Sequence, residues 1–471
     1  MDLVRALRLS DTPCLALVGA GGKTTALFQL ARRLSTGSET GGSERKRAVR
    51  AEDEEPASQR SSLPVIVTAT THLHVNQIKL ADSHWVGVNP PSLAALEDHL
   101  FGVILVTGPQ VGDRTTGLDE PTISWLREIC GYHDIPLLIE ADGSRQHPLK
   151  APAAHEPPIP PFVDLVVVIA GLSALGKPLK GEFVHRPEIF SNLSGLPLNA
   201  SITSEALFRF LSHPAGGLKN IPPRARKVVL LNQADTPELQ AQGKALTHSL
   251  IPTYDSVIIA SLAPPSPETS PARIHAVYEP AAGIILAAGE AKRFGTPKQL
   301  LDYGGKPFVL HIAQTALAAG LSPVVVVTGA HADRVEAVLD DVPVKIARNG
   351  AWQSGQSSSI RAGLDLLPAN TGSCLFLLAD QPQVSAPVIN ALIERHRQEL
   401  PPVVAPLVAG QRANPVLFDR ITFPALRTLT GDVGGRAIFS EYPPLYLTWH
   451  DEGLLVDIDT PADWKKFQGN G

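Results

Sequence analysis

Continuous runs of Val, Ile and Leu recur along this chain and constrain its fold more than any other feature. In the first half they are CLALVG, PVIVTAT, VILVTG, PLLIEAD, LVVVIAG and KVVLLNQAD; in the second, GIILAAG, PVVVVTG, VKIARN, CLFLLAD and PVVAPL. A strand with one wet face alternates apolar and polar residues. A run without alternation needs cover on both faces, as in a parallel sheet flanked by helices. Amphipathic stretches lie between the runs, so the predicted fold class is α/β. Several runs end in Gly, Asp or Thr, and α/β sheets bind ligands at the carboxyl ends of their strands.

A chain of 471 residues exceeds one ordinary core. Two stretches break the pattern. STGSETGGSERKRAVRAEDEEPASQRSS, Ser35 to Ser62, is too polar to bury itself and predicts a disordered insertion. LAPPSPETSPARIHAVYEP, Leu262 to Pro280, is Pro-rich and reads as a linker. The expected organisation is an α/β domain over 1–262, a linker over 263–280 and a second α/β domain over 281–471. A net charge of -5 argues against nucleic acid as the main partner. No apolar run is long enough to cross a bilayer, and the first residues lack a secretory apolar core. The three cysteines, Cys14, Cys130 and Cys374, are far apart, which fits a reducing compartment and offers no zinc site. The cytoplasm is the expected location, with small molecules as partners.

In the second half, GIILAAGEAKRFGTPKQLLDYGGKPFVLH runs from a strand straight into Ala287, Ala288 and Gly289, then Arg293 and Lys298. Small residues let backbone N–H groups approach a triphosphate, and the two cations offset its charge. CLFLLADQPQV carries Asp380 to the edge of the sheet, where a carboxylate holds Mg²⁺. In LLVDIDTPADW, Asp457 and Asp459 alternate along an extended segment and share one side, giving two further candidate metal ligands. Asp463 belongs to the helix start that follows. NGAWQSGQSSSIRAGL places Ser357 at the beginning of an amphipathic helix, an expected anion or base site. RANPVLF and GDVGGRAIF set Arg412 and Arg436 in polar or Gly-rich surroundings as substrate contacts.

In the first half, CLALVGAGGKTTALFQLARRL is a strand, a Gly-rich loop and a helix. Gly19, Gly21 and Gly22 shape a phosphate cradle, Lys23 reaches terminal phosphates, and Thr24 and Thr25 open the helix, Thr24 meeting Mg²⁺. The loop is two residues shorter than G-x4-G-K-[ST]. PLLIEAD ends in Glu140 and Asp142, and the metal position is assigned to Asp142. Asn232-Gln233-Ala234-Asp235 resembles the guanine-reading N-K-x-D with Gln for Lys, so Asp235 is a candidate base contact and the nucleotide is ATP or GTP. His72, His74, His147 and His155 lack ligand spacing and are read as loop residues.

Taken in order, LAAG-x3-R-x-G-x2-K, LADQP, SGQSSSIRAGL, NPVLF, GDVGGRA and DIDTPAD resemble the MobA-like NTP transferases, nearest to the MocA, or molybdenum cofactor cytidylyltransferase, branch. The resemblance implies a Rossmann-like domain that joins CMP from CTP to the phosphate of molybdopterin and releases pyrophosphate. Arg293, Lys298 and Asp380 would carry catalysis. Ala288, where guanylyl-transferring relatives tend to carry Gly, favours cytosine, and Ala413 departs from the usual Gly. GAGGKTT, TATTHLH, IEADGSRQHPLKAPAAHEPPIP and LLNQAD together resemble YqeC, a selenium-dependent hydroxylase accessory family. That resemblance implies a P-loop-like nucleotide-binding domain in molybdoenzyme maturation, with a molybdenum hydroxylase apoenzyme or insertion chaperone as partner. A GTP- or sugar-phosphate-dependent transferase and a non-catalytic cofactor carrier are the alternatives.

Overall fold

The apolar runs of the first half become β1 (Cys14–Gly19), β2 (Val65–Ala69), β3 (Ser83–Val86), β4 (Val103–Thr107), β5 (Leu137–Glu140), β6 (Leu165–Gly171), β7 (Arg226–Asn232), β8 (Ser256–Ser261) and β9 (Arg273–Tyr278). The computed structural model describes all residues except 38–61, 144–145, 263–272, 291–295, 459, 461 and 465–471. The nine strands form one sheet in the order β9-β8-β7-β6-β1-β5-β2-β4-β3. Every pair is parallel except β8 with β9. β1, β2, β4, β5 and β6 are buried along nearly their whole length, as non-alternating runs require. Each fully buried Val or Leu contributes about 1.5–3 kcal/mol, so these central strands hold the unit together. Helix α1 (Lys23–Ser35) buries Ala26, Leu27, Leu30 and Ala31, a face at helical spacing, over β2 and β5.

The ends of the expected insertion are stitched together. Ser35 Oγ donates to Leu63 O at 2.8 Å and Leu63 N to Ser35 O at 2.8 Å. Residues 38–61 lie outside the described residues.

The expected linker 263–280 needs correction. Arg273–Tyr278 is β9, paired antiparallel with β8 across a register shift, and it buries Ile274, Ala276, Val277 and Tyr278 at the sheet edge. Residues 263–272 lie outside the described residues.

The chain divides into two units, Met1–Tyr278 and Glu279–Gly471. The second unit contains β10 (Ala281–Ala287), β11 (Val324–Thr328), β12 (Lys345–Arg348), β13 (Ser373–Leu378), β14 (Val403–Val408), β15 (Gln411–Arg412), β16 (Val416–Asp419) and β17 (Leu445–Thr448). Their order is β12-β11-β10-β13-β16-β14-β15, with β17 beside β14. β10 to β13 are mutually parallel and β16 runs antiparallel to both β13 and β14. One apolar cluster, around Ile285, Val326 and Leu377, covers one face; a second, around Ile284, Val325 and Phe376, covers the other. Both units are thus α/β. Among the described residues no helix is long and apolar enough to cross a membrane.

Candidate functional site

In unit 1 the loop at the end of β1 needs glycine at three positions. Gly19, Gly21 and Gly22 have φ of +92°, +86° and +123°. A Cβ on Gly19 would lie 2.2 Å from Ile169 O, one on Gly21 2.8 Å from Pro148 O, and one on Gly22 2.4 Å from Asn232 Nδ2. Gly22 caps α1 without a side chain, leaving the first-turn N–H groups of Lys23, Thr24 and Thr25 to face the loop.

Lys23, only 2% exposed, donates to Gly19 O at 2.6 Å and lies 3.1 Å from Asp142 and 4.0 Å from Glu140. The two carboxylates divide the work. Asp142 accepts from Gly19 N and sits 2.9 Å from Lys150, so it balances two buried ammonium groups. Glu140 Oε2 accepts from Thr24 Oγ1 at 3.2 Å. Burial pushes the Glu140 carboxyl above the ordinary range, Asp142 adding to the rise and Lys23 opposing it. Asp142, the expected metal position, thus stands between Lys23 and Lys150, and the carboxylate facing Thr24 is Glu140.

Beyond Asp142 the network continues through Lys150 to Glu156 (3.2 Å) and Arg186 (2.6 Å). Burial would raise Glu156, but the Ala153 N–H, Arg186 and Lys150 outweigh it and hold it at about 2. Lys150, Glu156 and Arg186 had no assigned role in the sequence, although HPLKAPAAHEPP contains the first two. Gln77 Nε2 donates to Thr24 Oγ1 at 3.0 Å. Three buried oxygens, Thr70 Oγ1, Thr71 Oγ1 and Gln77 Oε1, have no hydrogen-bond partner among the described residues. Asn232 Nδ2 donates to Gly21 O at 2.7 Å, while Gln233 Oε1 accepts from Ser173 Oγ. Asp235 is exposed. No group of three or more His, Cys, Asp or Glu gathers for a metal among the described residues.

In unit 2, β10 ends at Ala287, and Ala288 and Gly289 follow as an irregular segment. Buried Gln299 braces it from within, its Nε2 donating to Ala287 O at 3.1 Å and Gly289 O at 2.8 Å. This brace was not foreseen; its one signal was a Gln directly after Lys298. Lys298 Nζ lies 3.6 Å from Asp380 Oδ2, bringing together two residues 82 positions apart, 380 less 298. Arg293 lies outside the described residues, as does Asp459. Gln381 Nε2 donates to Asp457 Oδ1 at 3.0 Å and Gln383 Nε2 to Val456 O at 2.7 Å, lacing the Asp380 turn to the segment carrying Asp457. Asp457 is exposed.

Ser357 departs from expectation. It is buried, and its hydroxyl donates to Gly431 O at 2.8 Å. The helix it opens, α2 (Gln356–Asp365), is already capped, since Gln356 N donates to Asp432 Oδ1 and Ser357 N to Gly431 O. The helix end expected to hold an anion is filled by the GDVGG loop, because first-turn N–H groups take the nearest acceptor. Arg412 reaches Asn414 at 3.2 Å and stands 5.9 Å over the Phe439 ring. Ala413 is not among the residues with positive φ, so the missing glycine there causes no strain.

A strand, a small-residue turn, a lysine and a strand-end carboxylate on a parallel sheet define unit 2 as a phosphate-handling α/β unit. The family model described as MobA-like NTP transferase domain matches residues 283–445, and the one described as YqeC protein matches residues 55–188. The YqeC protein of Escherichia coli (strain K12) is 33% identical over 226 residues, covering 46% of this chain and 75% of that protein. The nicotine blue oxidoreductase of Paenarthrobacter nicotinovorans is 35% identical over 188 residues, covering 38% of this chain and 91% of that protein. Among solved structures, a nucleotidyl transferase from Methanothermobacter is 20% identical, covering 41% of this chain and 98% of its own, with a TM-score of 0.37. The chain belongs to the YqeC family through its first unit and to the MobA-like NTP transferases through its second, and the second unit is a nucleotidyltransferase.

Proposed function

We propose that unit 2 transfers CMP from CTP to the phosphate of molybdopterin, releasing pyrophosphate, for the maturation of molybdenum hydroxylases. The observation that carries this reading is Lys298 and Asp380, 3.6 Å apart, beside the turn that Gln299 braces. Asp380 keeps 39% of its side chain exposed, and neighbouring Gln381 has a buried Oε1 without a hydrogen-bond partner among the described residues. Such oxygen donors suit Mg²⁺. Asp380, with Asp457 and Asp459, would hold it. Bound there, Mg²⁺ supplies Lewis-acid activation of the α-phosphate. Lys298 and Arg293 hold the leaving pyrophosphate, and Ala287, Ala288 and Gly289 present the backbone to the nucleotide. The acceptor phosphate is already a nucleophile, so the chain's task is alignment and charge neutralisation rather than proton abstraction. Ser357 contributes by fixing the Gly431 loop.

Unit 1, on this reading, binds ATP or GTP. Lys23 meets the terminal phosphates, and Thr24 with Glu140 holds a divalent cation, for which the unpartnered oxygens of Thr70, Thr71 and Gln77 supply hydrogen-bond acceptors for its waters. Joining both units in one chain favours successive work on one cofactor in the cytoplasm, with a molybdenum hydroxylase apoenzyme or insertion chaperone receiving the product. The test is transfer of label from α-labelled CTP to molybdopterin. Labelled product that Asp380→Ala cannot form supports the reading; label transferred from GTP instead moves the unit to guanylyl transfer.

One relative favours a second reading. The 35% identity to a nicotine blue oxidoreductase makes an oxidoreductase reaction a competitor for unit 2. Reduction of nicotine blue by a reduced nicotinamide, with no pyrophosphate formed from any nucleotide, would establish it in place of the first.

A further inference from the structure

The geometry points to a base-reading site in unit 1 that selects guanine, built on Asp235 at the end of β7; this rests on the reading of Lys23 and its loop as a nucleotide site. β1, β6, β7 and β8 are consecutive parallel neighbours, so their carboxyl ends line up. Asn232, 1% exposed, ties three of those ends together. Its Nδ2 donates to Gly21 O at 2.7 Å, within the phosphate loop, and its Oδ1 accepts from Leu262 N at 2.8 Å, just past β8. The turn that follows is rigid: Ala234 N donates to Ala260 O, and Ala234 O accepts from Gln240 Nε2 at 3.0 Å.

Asp235 is carried out of this turn into solvent, and a strand-end Asp usually serves as a helix cap. Here that task belongs to Thr236, whose Oγ1 accepts from Leu239 N. The Asp235 carboxylate makes no hydrogen bond or ion pair among the described residues; the titratable group near it is His275, which burial and Arg273 hold towards its neutral form and whose ring pairs with Ser261 Oγ at 2.9 Å. Gln233 does not compete for the base, since Ser173 holds its Oε1.

A carboxylate presents two acceptors side by side. Guanine offers two adjacent donors, N1–H and the 2-amino group, whereas adenine offers one donor next to an acceptor that a carboxylate repels. Asp235 therefore pairs with guanine and disfavours adenine, and the loop braced by Asn232 sets the distance from base to phosphate.

The experiment is calorimetric titration of the full chain with GDP, ADP and xanthosine diphosphate, counting only binding that Lys23→Gln removes, with thermal melting to verify that each variant folds. GDP is expected to bind about 30-fold or more tighter than ADP, the scale of hydrogen bonds to a charged group. Asp235→Asn, which replaces one acceptor with a donor, should lose that GDP preference and gain affinity for xanthosine diphosphate, whose 2-position carries oxygen. Equal binding of GDP and ADP, or a preference that Asp235→Asn leaves unchanged, would overturn this inference alone. Absence of any Lys23-dependent binding would overturn the phosphate-site reading and this inference with it.

Discussion

Lys150 is 3% exposed, and its ammonium is paired with the Asp142 and Glu156 carboxylates at 2.9 and 3.2 Å. Breaking a buried pair from one side is costly because the remaining charge is stranded. Lys150→Met should therefore destabilise unit 1 by about 3 kcal/mol, read from denaturant unfolding. A change within experimental error would show that water reaches Asp142 and that the network is not sealed. Glu156 makes a separate prediction in acid. Its folded-state value near 2 lies below the ordinary 4.5, so its contribution is fully present above pH 4.5 and is lost as the pH falls toward 2. Unfolding measured between pH 5 and 2.5 should show stability declining in that window, and Glu156→Gln should flatten the decline. The glycine loop before Lys23 and the small-residue segment before Lys298 were legible in the sequence because strand, small residues and cation are contiguous. Their partners were not. Thr24 meets Glu140 across 116 residues, and no local pattern announces such a pairing. That is also why the sequence could not tell which of the two carboxylates faces Thr24.

At the scale of elements, the non-alternating apolar runs predicted buried parallel strands, and most are that in both units; Lys345–Arg348 is mostly exposed and Val403–Val408 runs antiparallel to β15 and β16. Composition misled where a short apolar strand was embedded in a Pro-rich stretch, as β9 shows. At α2, whose serines suggested an anion site, the first-turn groups meet Gly431 and Asp432, 74 or more residues away, a contact no local pattern announces. The insertion yields the prediction of this scale. Since Ser35 and Leu63 exchange two hydrogen bonds, the chain leaves and re-enters the unit at one point. Replacing residues 38–61 with a short Gly-Ser linker closes a smaller loop, and loop-closure entropy changes slowly with length. The melting temperature is expected to stay within about 3 °C of the parent. A larger fall would mean that the insertion supports the fold.

At the scale of the whole molecule, two α/β units, each with its own sheet and core, are joined in one chain, and each belongs to a different family. The fold class and both families were readable from ordered motifs, whereas the substrates follow from chemistry that no strand or helix displays. The central claim is that Lys298 and Asp380 serve nucleotidyl transfer. It is tested most directly by pyrophosphate release from the purified chain with Mg²⁺ and molybdopterin, comparing CTP, GTP and ATP, and by repeating the assay with Asp380→Ala. Asp380 is partly exposed, so its loss should leave the fold and melting temperature unchanged. The expected result is release with CTP, reduced at least about 100-fold in Asp380→Ala, as for removal of a group that stabilises developing charge. No release with any nucleotide from folded protein, or full activity in folded Asp380→Ala, would contradict it.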